Sequence, residues 1–109
     1  MNSTVQRLPD ENGTRIILCA GEFDFFTTPP LAEEFTEARA RLIHRVILDV
    51  SQITFADSVF LNTLVLGHRT LALVLAGPVP THLAQLLALT RLDTLLTIAP
   101  DLLAAAQLP

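Results

Sequence analysis

Apolar and polar positions along this chain fall into blocks whose spacing switches between two periods. Three short apolar runs carry few charges and are bounded by glycine, proline or polar residues: Thr14–Ala20 (TRIILCA), Arg45–Val50 (RVILDV) and Leu71–Gly77 (LALVLAG). They read as buried strands. Thr4–Pro9 (TVQRLP) reads as a short strand ahead of them, and Asn12-Gly13 as the hairpin turn that joins it to the next. Leu95–Ala99 (LLTIA) reads as a short edge strand. Between these runs the spacing becomes helical. After Pro29-Pro30, Leu31, Phe35, Ala38 and Leu42 recur at intervals of four, three and four. Leu61, Leu64, Val65 and His68 share a face, as do Leu83, Leu86, Leu87 and Thr90, and Asp101 opens a terminal segment. The spacing predicts helices near residues 30–42, 59–69, 81–90 and 101–107. Strands that alternate with helices after an opening hairpin imply right-handed crossovers and a mostly parallel sheet. The expected fold is α/β: one domain over residues 1–109, a mixed sheet of four or five strands with about four helices packed against it.

Composition narrows the function classes. The chain has 109 residues, of which 50% are hydrophobic and 17% charged, enough to bury one core and too apolar for disorder. The central uncharged run, Val59 to Gly67, is too short to cross a bilayer. The opening MNSTVQRLPDENG lacks the basic and then apolar pattern of a signal peptide, so the expectation is a cytoplasmic protein without a membrane span. Residues 1–60 hold nine acids and five arginines, residues 61–109 two of each, so the net charge of −4 sits in the first half. Lysine is absent. That balance argues against nucleic acid, which demands a basic stripe, and leaves a basic protein partner open. Cys19 stands alone, so neither an internal disulfide nor a thiolate zinc cage can form, and it reads as a small buried hydrophobe.

No constellation calls for catalysis. His44, His68 and His82 lie on different elements without metal-ligand spacing, and neither a glycine-rich phosphate loop nor a GxSxG elbow occurs. Neither an enzyme, a metal site nor a cofactor is expected. Two features remain: the loop GEFDFFT and the pair Asp57-Ser58 within FADSV. Both follow apolar strands, and loops at the C-terminal ends of parallel strands gather at one end of a sheet. Asp24 and Ser58, 34 residues apart, are therefore expected close in space. Either Asp57 or Ser58 can cap the following helix, worth about 1 kcal/mol. Around Asp24, strand alternation turns Phe23 and Phe25 the same way, and an exposed phenylalanine beside an acid would make a contact point. Val59, Phe60, Leu61, Leu64, Val65 and Leu66 surround most of the next helix, more than the stripe a sheet covers. Ser58, Leu61 and Asn62 share one face, with Val59 and Phe60 beside it. An exposed apolar patch next to Ser58 is the expectation.

Taken in order, GEFDFFT, VILDVSQITFADS and LALT resemble the STAS family, the anti-sigma factor antagonists of bacteria. That family shows a G-E-L-D loop after its second strand, an apolar strand ending near Asp, then Phe, a hydrophobe and D-S-[S/T]-G-L-G at a helix start, and later L-T-G-L. The resemblance runs from about Thr4 to Leu108. It implies that Ser58 is the serine phosphorylated by an anti-sigma factor kinase, a GHKL-type ATPase, that Asp24 is the loop acid contacting that kinase, and that Asp57 is the motif Asp. The implied partner surface is Asp24, Phe25, Asp57, Val59, Phe60, Leu61 and Asn62, with a serine phosphatase as a second partner and ATP belonging to the kinase. Val59 stands where the family has its second Ser or Thr, Phe60 and Asn62 where it has glycines, and Arg91 at the L-T-G-L glycine. The D-S-x-F-L-N form resembles a divergent branch associated with actinobacteria. Two other roles fit the same resemblance: a scaffold subunit of a lipid-transport ATPase or stress-signalling complex, and a small-ligand or nucleotide sensor.

Overall fold

The computed structural model describes residues 2–109. Five strands and five helices follow one another as β1 (Ser3–Arg7), β2 (Thr14–Phe23), α1 (Pro29–Ala40), β3 (Arg45–Ala56), α2 (Ser58–Thr70), β4 (Ala72–Ala76), α3 (Thr81–Leu89), α4 (Leu92–Leu95), β5 (Thr97–Ala99) and α5 (Leu102–Ala106). The strands form one sheet in the order β1-β2-β3-β4-β5. β1 runs antiparallel to β2, and the other pairs are parallel. The predicted mixed α/β architecture is therefore present. Parallel neighbours taken in chain order, each joined by a right-handed crossover, place every crossover helix on the same face. α1, α2 and α3 accordingly bury Val46, Leu48, Val50, Leu73 and Leu75, whereas α5 returns to the opposite face over Ile47, Val74, Ala76 and Ala99. β3 is covered on both sides, which is why RVILDV reads as a continuous apolar run.

The Asn12-Gly13 turn forms as the sequence indicates. Both residues have positive φ, +52° and +77°, and Glu11 and Thr14 exchange backbone hydrogen bonds of 3.0 and 2.9 Å. Two adjacent positive φ values define the hairpin turn that Asn-Gly favours.

β2 and β3 run further than TRIILCA and RVILDV suggest. Gly21–Phe23 pair with Ile53–Ala56 across two register shifts. Gly21, at φ +93°, sits in this irregular stretch, and a side chain there would strike the Asn2 carbonyl. The extension also corrects the alternation argument. Phe23 is the last residue of β2 and is fully buried, the chain then leaves the sheet, and Phe25 points to solvent. Near the other end, Leu95 belongs to α4 rather than to the predicted strand, and β5 keeps only Thr97–Ala99. Arg91, at φ +63°, holds the left-handed turn into α4 without glycine.

Among the described residues, one charged side chain lies entirely inside. Arg15, on β2, is fully buried. Its guanidinium donates to both Asp10 oxygens at 2.8 Å, to Glu34 Oε1 at 3.4 Å and to Glu37. Arg7 donates to Glu37 at 2.6 Å and Arg41 lies 2.8 Å from the same carboxylate, so the hairpin is tied to the C-terminal half of α1. The hydrogen bond to Asp10 raises the Arg15 pKa further above its ordinary value. Cys19 is buried as expected, and desolvation pushes its thiol up to about 12.

Candidate functional site

The site lies at the C-terminal end of the parallel strands, where β2 gives way to α1 and β3 to α2. One hydrogen bond couples the two exits: the Asp57 N–H donates to the Phe23 carbonyl at 3.1 Å. The loop and the Asp-Ser pair therefore meet as strand topology predicts.

Asp57 is the cap of α2. Its backbone is extended, at φ −118° and ψ −171°, and its Oδ1 accepts from the N–H groups of Val59 at 2.9 Å and Phe60 at 3.3 Å. Those bonds satisfy two amides that a helix start leaves free. Ser58 is thereby relieved of capping. It is the first residue of α2 and is exposed, and its hydroxyl makes no hydrogen bond among the described residues. The sequence left open which of the two caps; the geometry assigns it to Asp57.

Asp24 turns inward on its own loop. Its Oδ1 accepts from the N–H groups of Phe26 at 2.8 Å and Thr27 at 3.0 Å, and the Thr27 hydroxyl lies 3.1 Å away. Desolvation pushes the carboxyl up, but these bonds outweigh it and hold it below 3.8. The loop so folded presents two aromatic rings. Phe25 is 66% exposed and Phe26 77%, and the two meet edge to face with centroids 5.3 Å apart.

Phe60 and Leu61 do not belong to an exposed patch. Phe60 is 0% exposed and packs its ring against Phe23 at 5.3 Å, and Leu61 is 7% exposed. This corrects the expectation drawn from the apolar circumference of α2. The helix lies against the sheet and α1 at once, so it buries more than one stripe. Gly67 of α2 meets the Phe35 ring of α1 so closely that a methyl group there would collide with it. Val59 is half-buried, and the outer ridge is Ser58, Asn62 and Leu66, all exposed.

Exposed apolar surface at the end of β3 comes instead from the aromatic residue that opens FADSV. Phe55, two residues before Asp57, is 41% exposed and stacks on the His82 imidazole with centroids 5.9 Å apart and planes 18° from parallel. Glu22 is its partner across the β2–β3 ladder and is also exposed. Alternation in the sequence gives no sign of this exposure: after Ile53 a strict period of two would bury Phe55, yet the structure buries Ala56 in its place. No cluster of three or more potential ligands is placed to hold a metal ion among the described residues, and none of their helices is long and apolar enough to cross a membrane.

Comparisons with known proteins agree with this fold. An anti-sigma factor antagonist from Mycobacterium paratuberculosis is 25% identical and superposes with a TM-score of 0.76 over 93% of this chain and 88% of its own. SpoIIAA, an anti-sigma factor antagonist, in its unphosphorylated form is 15% identical, with a TM-score of 0.73 over 94% of each chain. The Bacillus cell fate determinant SpoIIAA in the phosphorylated form is 18% identical, with a TM-score of 0.73 over 95% of this chain and 98% of its own. None of the curated proteins matches in sequence. The STAS domain model, by contrast, matches residues 6–105. With a match over nearly its whole length, the chain belongs to the STAS domain family.

Proposed function

We propose that this protein is an anti-sigma factor antagonist that binds an anti-sigma factor kinase through the C-terminal end of its sheet and is released when that kinase phosphorylates Ser58. The single observation that carries the reading is the division of labour at the start of α2. Asp57 satisfies the first-turn amides, and Ser58 is left exposed with a free hydroxyl on a fixed helix. The likeness to the mycobacterial anti-sigma factor antagonist supports the choice of partner.

The energetics favour a switch in binding over a switch in folding. A phosphate on Ser58 adds nearly two negative charges at a helix N-terminus, where an anion is stabilised by about 0.3–1 kcal/mol. In a closed interface the same group must shed its water, which costs several kcal/mol when no cation pairs with it. Glu22, Asp24 and Asp57 lie at the same end and add repulsion. The interface effect is the larger and of opposite sign, so phosphorylation leaves the fold intact and ends binding. A serine phosphatase would then restore the active form.

The test is incubation with the cognate GHKL-type kinase and ATP, followed by mass spectrometry. Phosphate is expected on Ser58, Ser58→Ala should bind the kinase and resist modification, and Ser58→Asp should melt like the wild type and fail to bind. Phosphate elsewhere, or equal binding by Ser58→Asp, would leave Asp57-Ser58 as a helix start only. Recovery of a membrane ATPase in place of a kinase would favour a scaffold subunit.

A further inference from the structure

Charge is sorted along this molecule by the direction of its strands. All seven arginines stand at or toward the N-terminal end of the parallel sheet. Arg15 and Arg45 lie at strand starts, and Arg7 lies on the antiparallel β1 opposite Ile17. Arg39, Arg41, Arg69 and Arg91 sit at the C-terminal ends of α1, α2 and α3. The end that carries Ser58 has Glu22, Asp24 and Asp57 but neither arginine nor lysine among the described residues. Asp24 and Asp57 commit acceptor capacity to backbone N–H groups. Glu22 does not: it is exposed and makes no ion pair among the described residues.

Glu22 and Phe55 are neighbours across the parallel β2–β3 ladder, and ladder partners project from the same face. Phe55 is braced by the stacked His82 imidazole, which fixes its ring without covering it, since 41% of the residue remains exposed. A carboxylate beside a fixed aromatic ring matches a planar cation: guanidinium pairs with the one and stacks on the other, which an ammonium does less well. We propose that Glu22 and Phe55, braced by His82, form a receiving site for an arginine side chain of the partner protein, at the same C-terminal end of the sheet as Ser58. This inference rests on the reading of Ser58 above as part of a kinase-binding surface. It adds what that reading lacks: the chemistry of a second contact, reaching α3. The charge sorting supplies the complement, because a basic partner surface meets no like charge at this end.

The test measures kinase affinity for the wild type, Glu22→Gln, Phe55→Leu, His82→Ala and Leu89→Ala. Phe55→Leu keeps an apolar side chain and removes the ring, and Leu89, highly exposed at the far end of α3, is the control. Glu22→Gln and Phe55→Leu should each weaken binding about tenfold. Their double variant should lose less than the product of the two, because both serve one guanidinium. His82→Ala should weaken binding less, and Leu89→Ala should leave it unchanged. Raising salt from about 0.05 M to about 0.3 M should weaken the wild type and spare Glu22→Gln in part. Wild-type affinity in a folded Phe55→Leu, or additive losses in the double variant, would overturn the site while phosphorylation of Ser58 by the same kinase left the functional reading standing. If the kinase does not bind at all, synthetic peptides decide. An arginine-serine repeat should shift the amide resonances of Glu22, Phe55 and His82 more than a lysine-serine repeat of equal length. Equal shifts, or none, overturn the proposal, as does self-association of the protein that Phe55→Leu abolishes.

Discussion

The two ends of the sheet use the same residue types to opposite purposes. At the N-terminal end, carboxylates meet cations: Asp10, Glu34 and Glu37 converge on Arg15, which is fully buried, and Arg7 and Arg41 complete the set. At the C-terminal end, carboxylates meet backbone amides or water, and aromatic rings stand in solvent. The first arrangement ties the β1–β2 hairpin to α1. The second adds little beyond two turns and leaves side chains available to a partner. An acid is bound into the fold here when a guanidinium or backbone amides of its own chain reach it, as at Asp10 and Glu37 or at Asp24 and Asp57, and Glu22 has neither among the described residues.

Removing the buried cation is the hardest blow to that contrast. Arg15→Met should lower unfolding free energy by about 3 kcal/mol, the lower part of the range for a broken buried pair, because the carboxylates left behind are partly exposed and regain water. Urea denaturation measures it, and a loss under about 1 kcal/mol would place the network with ordinary surface pairs. Acid should expose the same end next. The hydrogen bonds from Arg15 hold Asp10 below 3.8 and Glu37 below 4.5. With folded-state values depressed, the unfolded chain takes up protons first on acidification. The contribution is therefore fully present above about pH 4.5 and is lost as pH falls through the folded values. Melting temperatures between about pH 7 and pH 3 should show a fall that Arg15→Met flattens.

At the other end the effects shrink. Asp57→Ala removes the cap and should cost about 1 kcal/mol. Ser58→Ala removes nothing the helix uses and should stay within about 0.5 kcal/mol of the wild type. Equal losses for the two, in parallel thermal melts, would mean that capping is shared. The smallest effect should be a gain. Arg91→Gly relieves a left-handed backbone at φ +63° and should add about 0.5 kcal/mol, the relief exceeding the entropy that glycine loses on folding. A melting temperature that falls would show that the Arg91 side chain is worth more than the strain.

What the sequence disclosed divides along a physical line. Local chemistry was legible: Asn12-Gly13 could hardly be anything but a tight hairpin, and Pro29-Pro30 and Asp57 mark helix starts because capping and φ restriction act within a few residues. The order of elements, and with it the meeting of the Asp24 loop and Ser58, followed from chain direction and crossover hand. Arg15 was illegible because its three acids come from other elements, five to 22 residues away, and an arginine within TRIILCA gives no sign of them. The Phe55–His82 stack spans two elements for the same reason. Phe60 and Leu61 were misread because helical periodicity tells how many sides are apolar, not how many neighbours will cover them. The short α4 was missed since it follows a left-handed turn built on Arg91, where sequence normally advertises glycine.

The division along α2 bears on how such a protein changes over time. Phe60, Leu61 and Leu64 are held by the core, and Gly67 by the Phe35 ring pressed against it, so these positions tolerate little. Ser58, Asn62 and Leu66, one helical turn apart on the outer ridge, carry almost no packing. Lineages of this fold can rewrite that ridge residue by residue at nearly constant stability. Duplicated copies can thus drift apart in whom they recognise long before they differ in how they fold.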